Sequence, residues 1–132
     1  MGRYKSNNNV IYNCHYRVVF TPKYRRSVLI NGVDVRLKNI IADECSALGA
    51  SLIEIEVMPD HVHCFVEVTS TEKSPHQIVA RLKGYSSRFL RKEFKELKSK
   101  LPAMWTRSYY IGSVGHVSKE TIEQYIKNQK NV

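Results

Sequence analysis

Apolar and polar residues alternate over several stretches of the chain, with the side-chain period of a β-strand. Every second side chain is apolar in residues 11–20, 52–58 and 61–68. A fourth strand is predicted over residues 105–113, a segment that contains adjacent tyrosines and is bounded by turn-forming residues. The pattern therefore predicts four β-strands.

Three other segments repeat apolar residues every three or four positions, which is the spacing of an amphipathic helix. The first covers residues 33–48 and is followed by a glycine. The second begins at Ser74 with a helix-capping sequence and ends at Pro102. The third covers residues 118–132, with Ser118 as its predicted N-cap.

The resulting order is β-α-β-β-α-β with an additional C-terminal helix, which predicts an α+β fold of the ferredoxin-like or RRM-like type. Such a fold has an antiparallel sheet with two helices on one face and leaves the other face open. A single domain is expected over residues 1–132, with a mobile arm at 1–9, a hinge at 112–117 and the terminal helix at 118–132.

The composition adds a polyanionic partner to this picture. The 132 residues carry a formal charge of +9, which favours nucleic acid first and an anionic membrane surface second. No apolar run approaches the ~20 residues of a membrane span, and the N-terminus does not resemble a signal peptide. We therefore expect a cytoplasmic protein without membrane association. Cys14, Cys45 and Cys64 are too widely spaced for a zinc site or a disulfide framework, so reduced thiols are expected.

Two basic segments are the candidate nucleic-acid contacts. In residues 21–26, Lys23, Arg25 and Arg26 surround Tyr24, whose ring could stack on a base. The second predicted helix contains eight basic and two acidic residues, a surplus of six, and includes Arg81, Lys83 and Arg88. A solvated basic surface without a ligand is the alternative for both segments.

His61 and His63 are one residue apart on a predicted strand, so both point to the open face of the sheet. Two neutral imidazoles form half of a metal site, although such pairs are also often structural or simply exposed. Tyr125 and Gln129 share one face of the last helix, and the Gln129 amide oxygen is a candidate third ligand. An uncharged ligand set of this kind suits Mg²⁺ or Mn²⁺ completed by phosphate oxygens and water.

Tyr125 is the candidate nucleophile. The alternative is that Tyr125 is an aromatic residue that only packs on the sheet. A phenolate is a far better leaving group than an alkoxide, because the reference pKa of tyrosine is about 10. An ester between Tyr125 and a phosphate would therefore be reversed by a 3′-hydroxyl, which fits strand transfer better than hydrolysis. The sequence shows no general base for Tyr125.

These motifs resemble those of a known family. The run His61-Val62-His63 resembles the signature of the HUH single-strand endonucleases. Together with residues 125–129 it is similar to the single-tyrosine, insertion-sequence-200-like transposases. The basic segment at 21–26 and the stretch from Trp105 to the glycines at 112 and 115 extend the similarity over almost the whole chain.

The resemblance implies a DNA transposase that acts on single strands. Members of the family are homodimers that bind hairpin ends of a single-stranded element and cleave with a divalent metal ion. They form a 5′-phosphotyrosine and rejoin strands, and their tyrosine helix completes the site of its own subunit or of the partner. By this resemblance Tyr125 is the nucleophile, His61, His63 and Gln129 are the metal ligands, and Gly112 and Gly115 flank a hinge.

Three alternatives remain open from the sequence. The first is a non-catalytic single-strand or hairpin binding module on a ferredoxin-like sheet, although histidines replace the usual aromatic pair of such surfaces. The second is a domesticated relative that has kept cleavage and lost mobility. The third is a metal-dependent phosphodiesterase that uses water and leaves Tyr125 without a role.

Overall fold

The computed structural model describes residues 5–7, 10–12, 14–68, 73–113 and 119–132. A short 3-10 turn lies at Lys23–Arg25. The strands and α-helices are, in chain order, β1 (Lys5–Asn7), β2 (Val10–Tyr12), β3 (Cys14–Phe20), α1 (Val33–Ala47), β4 (Ala50–Met58), β5 (His61–Val68), α2 (Pro75–Glu93), α3 (Lys95–Lys100), β6 (Tyr110–Ser113) and α4 (Lys119–Lys127).

Strands β3 to β6 form one antiparallel sheet in the order β4-β5-β3-β6. Helix α1 connects β3 to β4, and α2 with α3 connects β5 to β6. The first and third strands of the β-α-β-β-α-β unit therefore lie in the middle of the sheet. The predicted ferredoxin-like fold is confirmed.

The alternation in β5 decides which face of the sheet is the core. Its apolar row is buried to within 2% of full burial and consists of Val62, Cys64, Val66 and Val68. His61 and His63 are half-buried on the opposite face, as predicted. Glu67 shares their face but is only 6% exposed, and its carboxylate lies 3.2 Å from Nε2 of His15.

Helices α1 and α2 pack against each other and cover the apolar face of the sheet. Helix α2 begins with the predicted capping box: the backbone N–H of Gln77 donates to Oγ of Ser74 at 3.2 Å, and that of Ser74 donates to Oε1 of Gln77 at 2.7 Å. These two bonds satisfy donors that a helix start leaves unpaired.

The prediction of one uninterrupted helix from Ser74 to Pro102 was wrong, because the helix breaks at Phe94. The backbone there has φ −117° and ψ 87°, outside the helical region. Phe94 fits the apolar stripe of a continuing helix, so periodicity gives no sign of the break. The turn lets Leu97 of α3 and Leu101, directly after α3, join the same core as Leu90; both are 2% exposed.

The predicted strand over residues 105–113 is confirmed only from Tyr110 onwards. Trp105 forms an isolated bridge with Pro22 and packs edge-on to Phe20, with ring centroids 4.6 Å apart. The next three carbonyl oxygens, of residues 106–108, accept hydrogen bonds from Nζ of Lys83 at 2.7, 3.1 and 3.1 Å. These carbonyls are turned toward a lysine instead of a neighbouring strand, which explains the shorter β6.

The ends of the predicted elements differ in smaller ways. Lys5–Asn7, within the segment expected to be a mobile arm, pairs antiparallel with Val10–Tyr12. Residues 1–4 and 8–9 of that arm lie outside the described residues. So do residues 114–118, which include most of the predicted hinge and its Gly115, and the predicted N-cap Ser118.

Two further expectations concern the cysteines and membrane spans. Cys14, Cys45 and Cys64 are free thiols, and the last two are buried. Burial raises the pKa of the Cys45 thiol to about 11, so this group stays protonated at neutral pH. Within the described ranges, every helix is too short or too polar to cross a bilayer.

Candidate active site

The open face of the sheet holds His61 at the start of β5, directly after the tight turn that ends in Asp60. Nδ1 of His61 lies 2.8 Å from Oδ1 of Asp60. The second carboxylate oxygen, Oδ2, lies 3.3 Å from Nε of Arg25. A carboxylate that accepts from Nδ1–H fixes the orientation and tautomer of an imidazole and leaves Nε2 free to bind a metal ion. Asp60 therefore orients His61.

The second histidine of the pair, His63, differs from His61 in the surroundings of its ring. Its Nε2 atom is buried and has no hydrogen-bond partner among the described residues. Burial lowers the pKa of His63, and the positive charge of Arg17 lowers it further. The ring is therefore neutral at pH 7 and offers a lone pair. A buried nitrogen without a partner is destabilising by about 1–3 kcal/mol, which favours a ligand at this position.

The histidines line a cavity of about 390 Å³ between the sheet and α4. Arg17 and Glu56 of the flanking strands also line it, and Lys119, Ile122, Glu123 and Ile126 form its helical wall. Among the described residues, no group of three or more His, Cys, Asp or Glu side chains is arranged to hold a metal ion. The histidine pair thus fits half of a metal site and requires other ligands to complete it.

Tyr125 and Gln129 lie in a second group, centred on Ser108. Oγ of Ser108 donates to Oε1 of Gln129 at 3.0 Å and lies 3.0 Å from the hydroxyl oxygen of Tyr125. Because a serine hydroxyl carries one proton, Tyr125 is the donor in its own bond to Ser108. Nε2 of Gln129 donates to the carbonyl of Tyr125 at 3.0 Å. All polar atoms of the Gln129 amide group are thereby engaged.

The phenol of Tyr125 is protonated in this arrangement. Burial raises its pKa, and the hydrogen bond to Ser108 offsets only part of that rise. Tyr110 lies beside it, with ring centroids 6.0 Å apart. A nucleophilic phenol requires ionisation, so the surroundings described here stabilise Tyr125 in its unreactive form.

Helix geometry explains why the predicted site forms two groups. Successive residues are about 100° apart around an α-helix, so Ile122 and Ile126 define one stripe while Tyr125 and Gln129 define the neighbouring one. Ile122 is 8% exposed and faces the sheet together with Ile126. The structure therefore brings His61 and His63 together, and Tyr125 and Gln129 together, without placing the second pair in the histidine cavity.

The basic turn after β3 adjoins this site. Tyr24 is exposed, with Nζ of Lys23 5.2 Å and the guanidinium of Arg26 6.0 Å from its ring centroid. Tyr24 and Arg25 have positive φ angles of 59° and 51°, which are unusual for side-chain-bearing residues. Arg25 turns inward and binds Asp60 and, at 3.5 Å, the carbonyl of Ile126. Lys23 and Arg26 remain as surface cations.

The three predicted DNA contacts on α2 have different surroundings. The Lys83 ammonium binds the three carbonyls described above and lies 5.3 Å from the Tyr109 ring centroid. Burial lowers its pKa to about 8. In this structure Lys83 acts in the fold, since its donors are used internally. Arg81 pairs with Glu44 at 3.2 Å, and Arg88 is exposed.

Sequence reasoning missed several residues that shape the site. Asp60 was inside the motif that contains the histidines, and its position directly before His61 was the available signal. Glu123 shares a helical stripe with Lys119 and Ile126, so its side of α4 was an equal candidate for the side that faces the sheet. Arg17 is on the open face by the alternation of residues 11–20, and only its place beside His63 depends on strand pairing. Ser108 gave no local signal, because its contacts join distant parts of the chain.

Over nearly its full length the chain is similar to transposases of insertion sequences. The sequence profile of the family described as Transposase IS200 like matches residues 10–129. The ISDra2 transposase TnpA of Deinococcus radiodurans is 35% identical over 127 residues, which cover 95% of this chain and 90% of that protein. The transposase for insertion sequence element IS200 of Salmonella typhimurium is 34% identical over 131 residues, which cover 98% and 85%.

Two solved structures share the fold. A crystal structure of a Deinococcus radiodurans R1 protein assigned as a transposase has a TM-score of 0.89 and 32% identity, covering 97% of this chain and 99% of that chain. A REP-associated tyrosine transposase bound to a REP hairpin has a TM-score of 0.58 and 12% identity, covering 95% and 69%.

Proposed function

This chain belongs to the IS200-like transposase family, and from that premise we propose that it cleaves and rejoins single-stranded DNA through Tyr125. The observation that carries the proposal is the buried Nε2 of His63, which finds no hydrogen-bond partner in the described part of the chain and lies beside a second histidine oriented by Asp60. A transposase must break phosphodiester bonds, and this pair faces a cavity on the open side of the sheet.

His61 and His63 would hold a divalent cation, Mg²⁺ or Mn²⁺, with the amide oxygen of Gln129 as a third protein ligand. Such an ion polarises a phosphodiester and offsets charge that develops in the transition state. The neutral imidazoles add no charge of their own. Phosphate oxygens and water would fill the remaining positions, as hard divalent cations prefer.

In the proposed cleavage, the hydroxyl oxygen of Tyr125 attacks a DNA phosphorus and loses its proton to solvent. A Tyr125–phosphorus ester forms, the bond from phosphorus to the 3′-oxygen breaks, and that oxygen takes a proton to leave a free 3′-hydroxyl. In rejoining, a 3′-hydroxyl attacks the same phosphorus and releases the phenol. The ester keeps the bond energy because a phenolate is a good leaving group.

Tyr125 and Gln129 have to leave Ser108 for this chemistry. Either α4 of the same chain changes position, or α4 of a second copy supplies these two residues to the histidines of the first. The second possibility requires a homodimer. Mixing a Tyr125→Phe chain with a His61→Ala chain distinguishes them, since activity in the mixture of two inactive chains requires a shared site.

The proposed substrate is a DNA strand with a hairpin next to the cleavage position. A REP-associated tyrosine transposase of the same fold binds a hairpin. In this chain a cavity of about 580 Å³ lies between the basic turn and the residues after α4, and Asp60 lines it. Lys23, Arg26 and the exposed Tyr24 ring would hold phosphates and a base near His61.

The direct test is covalent capture of labelled single-stranded DNA from the flanks of the gene in the presence of Mg²⁺. The wild-type chain is expected to form a covalent protein–DNA band, and Tyr125→Phe to form none while it binds the hairpin with unchanged Kd. Tyr110→Phe is the matched control, since its ring adjoins Tyr125 and it should keep the band. A covalent band of wild-type intensity in Tyr125→Phe would reject the assignment.

A non-catalytic DNA-binding protein is the second candidate function. The hydrogen bonds that hold Tyr125 and Gln129 at Ser108, away from the histidine cavity, are the observation that favours it. Hairpin binding without metal dependence, and without cleavage by Mg²⁺ or Mn²⁺, would support this function instead.

A further inference from the structure

A basic groove lies on the helix layer, on the other side of the sheet from the histidine cavity. It has a volume of about 690 Å³ and is formed by the C-terminal half of α2 together with α3. Five cationic residues line it, namely Arg88, Arg91, Lys92, Lys95 and Lys98. The break at Phe94 creates the groove, because it turns α3 away from the axis of α2.

The groove is shaped before any ligand arrives. Nη1 of Arg91 donates to the carbonyl of Leu101 at 3.0 Å and so connects α2 to the end of α3. The nearby carboxylate of Glu93 is occupied by Arg36, with donor–acceptor distances of 2.7 and 2.9 Å. Among the described residues, no carboxylate lines the groove. Its field is therefore uniformly positive.

Gly84 at one end of the groove is unexplained by packing inside the protein. It lies in the middle of α2, where glycine destabilises a helix by about 0.5–1 kcal/mol relative to alanine. A Cβ atom added there would meet no atom of the described residues within 4 Å. Gly84 also lines a smaller adjoining cavity of about 290 Å³, together with Arg81, Tyr85 and Arg88. A missing side chain thus leaves an open helix surface where two cavities meet.

A phosphodiester backbone fits these features. The cations at positions 88 to 92 lie on the last turns of α2 and those at 95 and 98 lie on α3, so positive charge lines both walls of the groove, as a row of phosphates requires. Bare helix surface at Gly84 permits close approach of a strand, as glycine does in phosphate-binding loops. An anionic membrane would also attract these cations, but a flat bilayer surface would not fit a concave groove that is open at Gly84.

We propose that this groove, called here the α2–α3 groove, binds the phosphate backbone of a second segment of the DNA on which the active site acts. Because the groove and the histidines lie on opposite layers, both can be occupied at once. The inference rests on the proposed function for the identity of the DNA. It adds a contact surface that increases affinity without taking part in cleavage.

Salt-dependent binding of the full chain measures the contribution of the groove. Lys92→Gln/Lys95→Gln is compared with Lys38→Gln/Lys100→Gln, which removes the same charge from exposed lysines outside the groove. With a hairpin oligonucleotide in EDTA, the groove variant is expected to lose about tenfold in affinity near 100 mM salt. Its salt slope should fall by about 1.8 if the groove holds duplex and by about 1.4 if it holds single strand.

Gly84→Ala gives the sharper test because its two effects have opposite signs. A better helix former should raise Tm by roughly 2–4 °C. The added methyl group at the groove should raise the Kd for DNA by about threefold to tenfold, the effect of weakening one charge-assisted contact. A more stable variant with wild-type Kd would overturn close approach at Gly84.

Covalent capture at saturating DNA separates this inference from the proposed function. The groove variants should form the Tyr125 adduct at the wild-type rate once all protein is bound. Equal binding by the groove and control variants, with adduct formed normally, would overturn the groove alone. Unchanged DNA affinity with lost binding to phosphatidylserine vesicles would overturn it in favour of a membrane surface.

Discussion

Replacing Ser108 with alanine removes the contact that holds Tyr125 and Gln129 together. The serine hydroxyl makes one hydrogen bond to each residue, both at 3.0 Å. A neutral hydrogen bond contributes about 0.5–1.5 kcal/mol net, and Ser108 is exposed, so values near the lower end apply. The two hydrogen bonds therefore stabilise the docked position of α4, in which Tyr125 and Gln129 lie at Ser108, by roughly 1–2 kcal/mol.

That free energy has a kinetic consequence if Tyr125 must leave Ser108 before it reacts. Each 1.36 kcal/mol corresponds to a factor of ten, so the undocked position should gain about fivefold to thirtyfold in relative population. Where undocking limits the reaction, Ser108→Ala should form the covalent DNA adduct faster by up to the same factor. Amide exchange in α4 should accelerate as well, because a helix of nine residues is marginal without tertiary contacts.

The assay is single-turnover formation of the covalent band at saturating DNA and Mg²⁺, with hydrogen exchange measured on the free protein. Ser99→Ala is the matched control, since its hydroxyl donates to the carbonyl of Glu96 within α3. A slower adduct in Ser108→Ala would refute the reasoning, because it would mean that Ser108 positions Tyr125 for attack. An unchanged rate with faster exchange would show that undocking is not limiting.

Three other predictions concern Asp60 and Lys83. Asp60→Asn should weaken Mn²⁺ binding by about 10–100-fold, as measured by calorimetry, because Asp60 orients the His61 ring. Asp43→Asn is the control. An unchanged Kd for Mn²⁺ in Asp60→Asn would remove Asp60 from the site. Lys83→Met should lower the free energy of unfolding by about 1–3 kcal/mol at pH 7, because the carbonyl of the buried Thr106 loses its hydrogen-bond donor. Wild-type stability in this variant would contradict a structural role for Lys83. Between pH 8 and 10.5 the unfolded state holds more protons at Lys83 than the folded state, so wild-type stability should rise with pH relative to Lys83→Met, as chemical denaturation at both ends of that window would detect.

The sheet and its active face follow from local patterns. The alternation in β5 separated Val62 and Cys64 from His61 and His63, because side chains on a strand have a period of two whatever surrounds them. The capping sequence at Ser74 located the start of α2 for a similarly local reason. Where a contact joins neighbours in sequence, the residues themselves predict it.

The parts that the sequence did not predict depend on distant contacts. Two stripes of α4 contain Ile122, one with Ile126 and one with Tyr125, and only packing against the sheet selects between them. The interruption at Phe94 and the early end of β6 likewise depend on a core and on a lysine that lie elsewhere in the chain. The predicted roles of Tyr125 and Gln129 concern a position of α4 different from the one described.

Strand polarity in the covalent product tests the central claim most directly. A DNA strand that spans the cleavage position is labelled on one side or the other, incubated with the protein and Mg²⁺, and the adduct is mapped by mass spectrometry. Only the fragment on the 3′ side of the break should become attached, through its 5′-phosphate to Tyr125, while the other fragment ends in a free 3′-hydroxyl. Attachment of the opposite fragment, attachment to another residue, or cleavage without any adduct would contradict the account.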